Sequence, residues 1–318
     1  MRIVVCALHG TAPLLARLKE FAGDKVTLAD NEAALAAAIV DAELLLVTDN
    51  LYSAFIAQTL RERAAKLRWI QLLSAGYDAL ARHGAPAGVI VTNAGDAFAP
   101  SVATHAVTLL LGLQRQVPTF LASQSKHVWE RGLGARNSIP LGRTIAVIGF
   151  GPIGREIGRL LKAFGARIIA VTRQGQPQPG ADETIAVSAL HSVLQRADAV
   201  VIALAASPES RHLIGARELA AMKRTAFLVN IARGYVIDNL ALADALKAGT
   251  IAGAGLDVTE PEPLPEDHPL WDAPNLILTP HMAGASGAVT GERVAAVVGA
   301  NIERWRAGRP LAHIVPVA

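Results

Sequence analysis

A short apolar segment followed by a glycine-rich turn constrains the fold of this chain more than any other stretch. Residues 145–148 are apolar and mostly β-branched, which predicts a strand buried on both faces. The segment leads directly into Gly149-Phe150-Gly151-Pro152-Ile153-Gly154, a complete G-x-G-x-x-G. Apolar residues recur at helical spacing over 152–164, and a second apolar strand is predicted at 167–171. The motif therefore has the strand, turn, helix and strand context that gives it meaning.

The glycines of this turn match the needs of a dinucleotide pyrophosphate. Gly149 permits a tight turn, Gly151 lets the backbone approach the phosphates, and Gly154 lets the helix pack closely on the sheet. The unpaired amides at the helix start can then bind the phosphates. The alternative is a plain βαβ unit whose glycines only turn the chain, and the complete motif in this context favours the dinucleotide.

The second strand of this unit ends in an unusual way, at Val171-Thr172-Arg173. An acidic residue commonly stands there, selects the free 2′-hydroxyl of the ribose and repels a 2′-phosphate. Thr172 removes that repulsion, and Arg173 can pair with the phosphate, although it could also be an ordinary solvated residue. The sequence therefore favours NADP (as NADPH), with NAD possible.

Composition limits the class of protein. With 318 residues, 52% of them hydrophobic and 18% charged, the chain is long enough for two globular domains. A net charge of +3 without a basic stripe argues against nucleic acid, and no apolar run is long enough for a membrane span. A single cysteine, Cys6, excludes an internal disulfide and a cysteine-based metal cluster, and no metal site is predicted. Because the N-terminus lacks a signal-peptide layout, we expect a soluble cytoplasmic protein.

Predicted strands and helices alternate along the chain, which indicates parallel sheets in an α/β layer fold. Strands are expected at 3–6, 44–47, 69–72, 89–91, 199–204, 227–231, 251–258 and 275–279. Helices are expected near 12–21, 32–38, 52–63, 100–113 and 287–305. Ser101 is a plausible cap for the fourth of these helices, and residues 114–141 have the pattern of a polar, irregular connector.

Two small-residue loops follow predicted strands of the first hundred residues. They are Ser74-Ala75-Gly76 and Thr92-Asn93-Ala94-Gly95. Ligands of open parallel sheets bind outside the carboxyl ends of the strands, so both loops could offer backbone amides to an anion. On local sequence alone, two ordinary turns are as consistent with the pattern.

Three charged or titratable residues stand just after consecutive predicted strands of the second half. They are Arg233, Glu262 and His281. An arginine can hold a carboxylate and polarise a carbonyl, and a histidine is the natural acid or base near neutral pH. A carboxylate beside the histidine would orient its ring and favour its charged form. Each alone could be a surface or capping residue, but the three together, at the edge where a dinucleotide binds, indicate a catalytic site.

These residues carry a resemblance to the D-isomer-specific 2-hydroxyacid dehydrogenase family, which includes enzymes of the glyoxylate/hydroxypyruvate reductase and phosphoglycerate dehydrogenase kinds. The matching stretches are 149–154, 204–211, 230–234, 255–258 with 262–263, and 279–281. The resemblance implies that Arg233 binds the substrate, Glu262 tunes the histidine and His281 transfers the proton. It implies further contacts to the substrate carboxylate from Ser74, Ala75 and Gly76, and to the cofactor from Ser207, Ala232 and Asp257.

The same resemblance implies two Rossmann-like parallel-sheet domains, with the cofactor domain inserted into the substrate domain. The expected division is 1–98 plus 285–318 for the substrate domain and 99–284 for the dinucleotide-binding domain, with a homodimer formed through the latter. Three positions depart from the family pattern: Thr104, where glutamate is common, Ala205, where proline is usual, and the strand end at Thr172.

The resulting interpretation is an oxidoreductase that transfers hydride between NAD(P)H and a small 2-oxo or 2-hydroxy acid. The main alternative is a dinucleotide-sensing regulator that resembles the corepressors of this fold. The presence of all three catalytic candidates, Arg233, Glu262 and His281, argues against it. A formate-type dehydrogenase is less consistent, because glutamine stands there at the position of Glu262. The sequence leaves the individual acid open among glyoxylate, hydroxypyruvate and phosphoglycerate-like compounds.

Overall fold

The computed structural model of the protein describes residues 1–7 and 11–316. The chain divides into two compact units, Met1–Phe98 with Ala285–Ala318, and Ala99–Gly284. The first unit is therefore built from both ends of the chain, and the second from one uninterrupted segment.

Strands and helices alternate in both units, as the sequence predicts. The strands are β1 (Arg2–Cys6), β2 (Lys25–Leu28), β3 (Leu44–Val47), β4 (Trp69–Leu72), β5 (Ile90–Thr92), β6 (Thr144–Ile148), β7 (Arg167–Thr172), β8 (Glu183–Ala186), β9 (Ala199–Ile202), β10 (Phe227–Asn230), β11 (Gly253–Leu256) and β12 (Leu276–Leu278). The α-helices are α1 (Thr11–Lys19), α2 (Glu32–Ala38), α3 (Ala54–Arg63), α4 (Asp78–His83), α5 (Ala99–Gln114), α6 (Val117–Ser125), α7 (Pro152–Ala163), α8 (Leu190–Arg196), α9 (Ala216–Ala221), α10 (Asn239–Lys247) and α11 (Ala288–Arg306).

The first unit is organised around a parallel sheet. Among the described residues the sheet has five strands in the order β2-β1-β3-β4-β5. The strands β3 and β4 are buried along their whole length, as expected for strands covered on both faces. Because β2 and β3 lie on opposite sides of β1, the chain changes direction across the sheet at β1.

The last helix completes the core of the first unit. The buried side chains of α11 join a cluster formed mainly by β1, α1 and β3. The indole ring of Trp305 stacks on that of Trp69, with ring centroids 5.8 Å apart. The buried Asn301 donates from Nδ2 to Oε1 of Gln71, at 3.1 Å. These contacts join the two ends of the chain into one folded unit.

The second unit contains a larger parallel sheet. Within the described residues it has seven strands in the order β12-β11-β10-β9-β6-β7-β8. The central strand β6 lies between β7, which follows it in the chain, and β9, which begins the other half of the sheet. Ligands of such sheets bind at the carboxyl edge where the strand order reverses, which here is the end of β6 and β9.

The architecture of two parallel-sheet α/β domains is thus confirmed, and the differences concern particular elements. The strands β2 and β8 were not predicted, since both are short, only partly buried and at the edge of a sheet. The segment 114–141 is not irregular throughout, because it contains α6 and a 3₁₀ segment at Arg131–Arg136. The prediction that Ser101 caps its helix was wrong. The helix begins at Ala99, and the Ser101 hydroxyl donates to the carbonyl of Ala283.

Candidate active site

The glycine turn after β6 has the geometry of a phosphate-binding turn. Gly149 has a positive φ of 90°, and an added Cβ would lie 2.4 Å from the Cα of Leu204. A Cβ on Gly154 would lie 2.1 Å from the carbonyl oxygen of Gly149, so α7 packs tightly against the turn. At Gly151, by contrast, an added Cβ would meet no atom within 4 Å. The backbone is therefore open at the one position where a pyrophosphate needs a close approach.

The rest of the motif is fixed by packing. The ring of Phe150 is buried and lies against Gly158, where an added Cβ would come within 3.1 Å of it. Pro152 is the first residue of α7 and Ile153 is partly buried in its first turn. The start of α7 is thus preorganised, with its unpaired amides at the carboxyl edge of the sheet. These residues fit a dinucleotide phosphate group.

The end of β7 places Thr172 and Arg173 beside this turn. The Thr172 hydroxyl accepts a hydrogen bond from the amide of Gly175 at 3.0 Å, which shapes the following turn. The side chain of Arg173 is exposed. The described chain has no acid at either of these two positions, where a ribose-binding carboxylate commonly stands.

The loop after β9 brings a carboxylate toward the same edge. Ser207 precedes a short 3₁₀ turn at Pro208–Ser210, and its carbonyl accepts a hydrogen bond from the Ser210 hydroxyl at 2.6 Å. The pKa of the exposed Glu209 is lowered, mainly by hydrogen bonds from its own amide and from Ser207, with a smaller contribution from the charge of Arg173. The charges of Glu209 and Arg173 are therefore close enough to interact.

The three predicted catalytic residues follow three adjacent strands. Arg233 follows β10, Glu262 lies in the loop after β11, and His281 follows β12. Because these strands are parallel neighbours, their carboxyl ends meet at one edge of the sheet. Arg233, Glu262 and His281, which are distant in sequence, therefore lie at the same edge of the sheet.

His281 and Glu262 form a hydrogen-bonded pair. The distance from Nδ1 of His281 to Oε2 of Glu262 is 2.8 Å, and Oε1 of Glu262 accepts from the Thr259 amide at 3.0 Å. The hydrogen bond to Glu262 raises the pKa of His281, as does the Glu262 charge, against burial and the positive charge of Arg233. Burial alone would raise the pKa of Glu262, but the bonds from His281 and Thr259, with both neighbouring positive charges, lower it below its ordinary value. The geometry therefore favours a charged pair.

The electrostatic influence of Arg233 on both partners places it beside the pair. Its backbone is set by the fully buried Asn230, which donates from Nδ2 to the Arg233 carbonyl and accepts from the Ala232 amide, at 2.9 and 3.0 Å. Ala232 is buried, and its carbonyl accepts from Nη1 of Arg233 at 2.6 Å. Asn230 was not singled out from the sequence; a polar residue ending an apolar strand is the signal that could have identified it.

The loops after β10 and β11 are held tightly together. An added Cβ on Gly234 would lie 1.9 Å from the carbonyl atoms of Thr259. Nδ2 of Asn239 donates to the Glu260 carbonyl at 3.0 Å, and the Glu260 carboxylate pairs with Arg211 at 2.9 Å. Glu260 is therefore engaged elsewhere, and Glu262 is the carboxylate that contacts the histidine.

A buried carboxylate anchors the loop that carries His281. Asp257 is only 1% exposed, and it accepts from the Thr279 hydroxyl at 2.7 Å and from the amides of Met282 and Ala283 at 2.9 Å. Nε2 of His105, on α5, lies 2.9 Å from Thr279 Oγ1 and 3.3 Å from Asp257 Oδ1. Neither His105 nor Thr279 was predicted to support the site, because their partners lie 174 and 22 residues away in sequence.

In the first unit, the loop Ser74-Ala75-Gly76 is bonded to the loop after β5. The Ser74 and Ala75 carbonyls accept from the Ala94 amide at 3.0 Å and from Nδ2 of Asn93 at 2.7 Å. The Ser74 hydroxyl donates to the Gly76 carbonyl at 2.9 Å. Among the described residues, no hydrogen bond uses the amides of Ala75 and Gly76. They could bind an anion.

Residues 1–7 and 11–316 contain neither a candidate metal site nor a candidate membrane span. No group of three or more histidine, cysteine, aspartate or glutamate side chains could hold a metal ion. No helix in this part of the chain is long and apolar enough to cross a bilayer.

Comparison with known proteins gives a consistent result. Residues 107–283 match the family described as "D-isomer specific 2-hydroxyacid dehydrogenase, NAD binding domain". A glyoxylate reductase of Thermococcus gammatolerans is 38% identical, over 78% of this chain and 75% of that protein. The chain also matches D-3-phosphoglycerate dehydrogenases, of which it spans about half the length.

Solved structures share the whole fold. A D-isomer-specific 2-hydroxyacid dehydrogenase family protein of Aeromonas salmonicida superimposes with a TM-score of 0.86 at 31% identity, over 99% of both chains. A D-isomer-specific 2-hydroxyacid dehydrogenase of Xanthobacter autotrophicus Py2, in complex with NADPH and MES, superimposes with a TM-score of 0.83 at 28% identity, over 99% of this chain and 98% of that one.

Proposed function

Because the chain belongs to the D-isomer-specific 2-hydroxyacid dehydrogenase family, we propose that it reduces a small 2-oxo acid with His281 as the proton donor. The observation that carries this proposal is the 2.8 Å bond between Nδ1 of His281 and Glu262, beside the charge of Arg233. A bound reduced nicotinamide would supply the hydride. The glycine turn from Gly149 to Gly154 and the start of α7 would hold its phosphates.

The proton step follows from the tautomer of the histidine. Since Nδ1 donates to Glu262, the second nitrogen, Nε2, is the one that can give up a proton to the alkoxide that forms from the oxo group. The Glu262 carboxylate stabilises the charged ring before the transfer, and it keeps the ring in one orientation. In the reverse direction the neutral ring accepts the proton from the hydroxyl group.

Arg233 provides substrate recognition in this proposal. A guanidinium group can donate two parallel hydrogen bonds, and so can hold a carboxylate while polarising the adjacent carbonyl. We assign the amides of Ala75 and Gly76, with Ser74, to the carboxylate as well, because no described hydrogen bond uses those amides. The class of substrate is therefore a short acid whose oxo group is adjacent to the carboxylate.

Replacement of the histidine tests the proposal. In His281→Ala, 2-oxo acid reduction should fall by about 10²–10⁴-fold, because a positioned acid is lost. The affinity for NADPH, measured by fluorescence titration, should remain near that of the parent protein. His191→Ala, at an exposed histidine of α8, is the matched control and should be fully active. Parent-like turnover in His281→Ala would exclude this role.

The individual acid can be found with a panel. Glyoxylate, hydroxypyruvate and phosphohydroxypyruvate should be compared by kcat/KM, each with both nicotinamide cofactors. A dinucleotide sensor without catalytic activity would bind cofactor and reduce none of them. Such a result would contradict the proposed reduction, whereas turnover of any one acid would identify the substrate type.

We assign a preference for NADPH over NADH to the end of β7. Thr172 presents no negative charge to a 2′-phosphate, and the exposed Arg173 can pair with it. A hydrogen bond to a charged group contributes about 1.5–3 kcal/mol, so kcat/KM should favour NADPH by roughly 10- to 100-fold. The NADPH complex of the Xanthobacter relative supports the assignment.

Two variants test the cofactor preference in opposite directions. Thr172→Asp with Arg173→Ala should transfer the preference to NADH. Glu209→Gln should increase the preference for NADPH a few-fold, because it removes a carboxylate that interacts with Arg173. The effect of Glu209→Gln on the cofactor preference should weaken as the salt concentration is raised, since charges at exposed positions are screened. An unchanged cofactor ratio in the first variant would show that β7 does not select the cofactor.

A further inference from the structure

A cavity in the second unit lies at the edge of the sheet opposite the candidate active site. Its volume is about 420 Å³, within the range of small-molecule sites, and its lining includes residues immediately before β6, β9, β11 and β12. The catalytic candidates follow the carboxyl ends of the strands, whereas this cavity is at their amino ends. Strands of four residues separate the two edges by about 13 Å, at roughly 3.3 Å per residue. The cavity is therefore a separate site.

The cavity has an excess of positive charge. Three arginines, Arg136, Arg143 and Arg224, line it together with a single acid, Asp198. Asp198 is already engaged. It pairs with Lys223 at 2.9 Å and accepts from the Thr144 amide at 2.9 Å, and Arg143 lies 3.8 Å from it. Within the described residues Arg136 and Arg224 have no acidic partner. Two guanidinium groups thus stay available for an anion.

Two residues that line this cavity carry acceptor oxygens without a hydrogen-bond partner in the described part of the chain. Gln114, at the end of α5, is 2% exposed, and its Oε1 has no hydrogen-bond partner among the described residues. Oδ1 of Asn137 is buried and unpartnered in the same way. The segment is held in place, because the Ser138 amide donates to the Gln114 carbonyl at 2.8 Å. A buried acceptor without a donor is unfavourable, so both oxygens favour a ligand that brings hydroxyl groups.

We propose that this cavity binds a small hydroxylated organic anion, with its phosphate or carboxylate group on Arg136 and Arg224 and its hydroxyl groups on Gln114 and Asn137. Guanidinium groups suit both kinds of anion, because their planar donors match two oxygens at once. The amide oxygens distinguish a hydroxylated ligand from a plain one, since only the former can donate to them. The site is independent of the reaction proposed for His281.

Calorimetric titration of the full chain saturated with NADPH tests the proposal without relying on turnover. The probes are glycerol 3-phosphate, n-propyl phosphate, which has the same charge and carbon number without hydroxyl groups, and citrate, whose hydroxyl carbon carries no hydrogen to lose as hydride. Glycerol 3-phosphate should bind more tightly than propyl phosphate. Comparison with citrate decides whether a phosphate or a carboxylate is preferred.

Three variants locate the binding. Arg136→Gln with Arg224→Gln should weaken glycerol 3-phosphate by about 10- to 100-fold, because charge-assisted contacts are lost. Arg131→Gln, at an exposed arginine of the same 3₁₀ segment, should have no effect. Gln114→Met, which keeps the side-chain volume but removes the acceptor, should abolish the advantage of glycerol 3-phosphate over propyl phosphate.

The outcomes separate this site from the substrate site. The proposal is overturned if none of the probes binds, if the double arginine variant binds like the parent protein, or if Arg233→Gln removes the signal. The arginine variants change exposed side chains and should leave the melting temperature unchanged. They therefore remain decisive even if Gln114→Met, at a buried position, lowers stability.

Discussion

Because Nδ1 of His281 donates its proton to Glu262, Nε2 is the ring nitrogen that can give a proton to the substrate or accept one from it. Glu262 stabilises the charged ring and raises its pKa, so reduction should be supported below that pKa and lost as the pH rises through it. Glu262→Gln removes the charge and should move this alkaline limit to lower pH. Oxidation of the hydroxy acid needs the neutral ring, so it should extend to lower pH in the same variant.

The pH dependence of kcat/KM in both directions measures this effect. Glu260→Gln is the matched control, because Glu260 pairs with Arg211 and does not contact the histidine. If both variants retain the parent profile, Glu262 does not set the pKa of His281. A shift in the Glu260 variant alone would assign that role to the other carboxylate.

At the scale of the residue, the sequence was most informative for reactive side chains that directly follow a predicted strand. Arg233, Glu262 and His281 each stand after a recognisable apolar strand, and a parallel sheet then brings strand ends together. The supporting contacts could not be predicted in this way. His105 reaches Thr279 across 174 residues, and such a pairing depends on how α5 packs on the sheet. The roles of the cofactor and substrate residues stay predictions until they are measured.

At the scale of the element, the loop after β10 packs against the loop after β11. This contact determines where Glu262, and with it the Glu262–His281 pair, is placed. An alanine at 234 would bring its Cβ within 1.9 Å of the Thr259 carbonyl atoms and 2.6 Å of the Glu260 amide nitrogen. Since these are backbone atoms, the loop that carries Glu262 must move. We expect Gly234→Ala to lose about 1–3 kcal/mol of unfolding free energy through overpacking.

The displaced loop should also lower activity and weaken the effect of Glu262 on the pH profile. Urea unfolding and the pH dependence of kcat/KM measure the two consequences separately. Gly134→Ala is the control, because an added Cβ there would meet nothing within 4 Å. Equal stability and activity of the two variants would mean that the loops tolerate displacement.

Strands with strong apolar patterns were predicted with nearly correct bounds, and two edge strands with weak patterns were missed. The strands β3 and β4 are fully buried, and every residue of them except Gln71 is apolar. The edge strands β2 and β8 contain no fully buried residue, and the sequences Lys25-Val-Thr-Leu28 and Glu183-Thr-Ile-Ala186 give little periodicity. An edge strand forms because of its packing against the neighbouring strand, and a single sequence does not show which residues make that contact.

At the scale of the whole molecule, the exposed apolar residues are concentrated in one segment of the second unit. Within 117–141, exposed side chains include Val117, Phe120, Leu121, Val128, Trp129, Ile139 and Leu141. Trp129 is 90% exposed, which is unfavourable for a large apolar side chain in water. We propose that a second copy of the chain covers the apolar side chains at 117–129, as the family resemblance implies.

Sedimentation measures this prediction directly. The parent protein should be a dimer at micromolar concentration, and Leu121→Glu with Trp129→Glu should shift it to monomer. Trp271→Glu is the matched control, since Trp271 is 54% exposed but outside the segment. A monomeric parent protein, or a dimer that persists in the double variant, would contradict this interface.

The composition of the first unit from both chain ends has a consequence for the order of folding during synthesis. The core formed by β1, α1 and β3 lacks the apolar face of α11 until this helix, which follows the second unit in the chain, has left the ribosome. The second unit, made of one continuous segment, is complete earlier. The nascent first unit therefore exposes apolar core surface until α11 packs on it, and in that interval the surface is prone to aggregation.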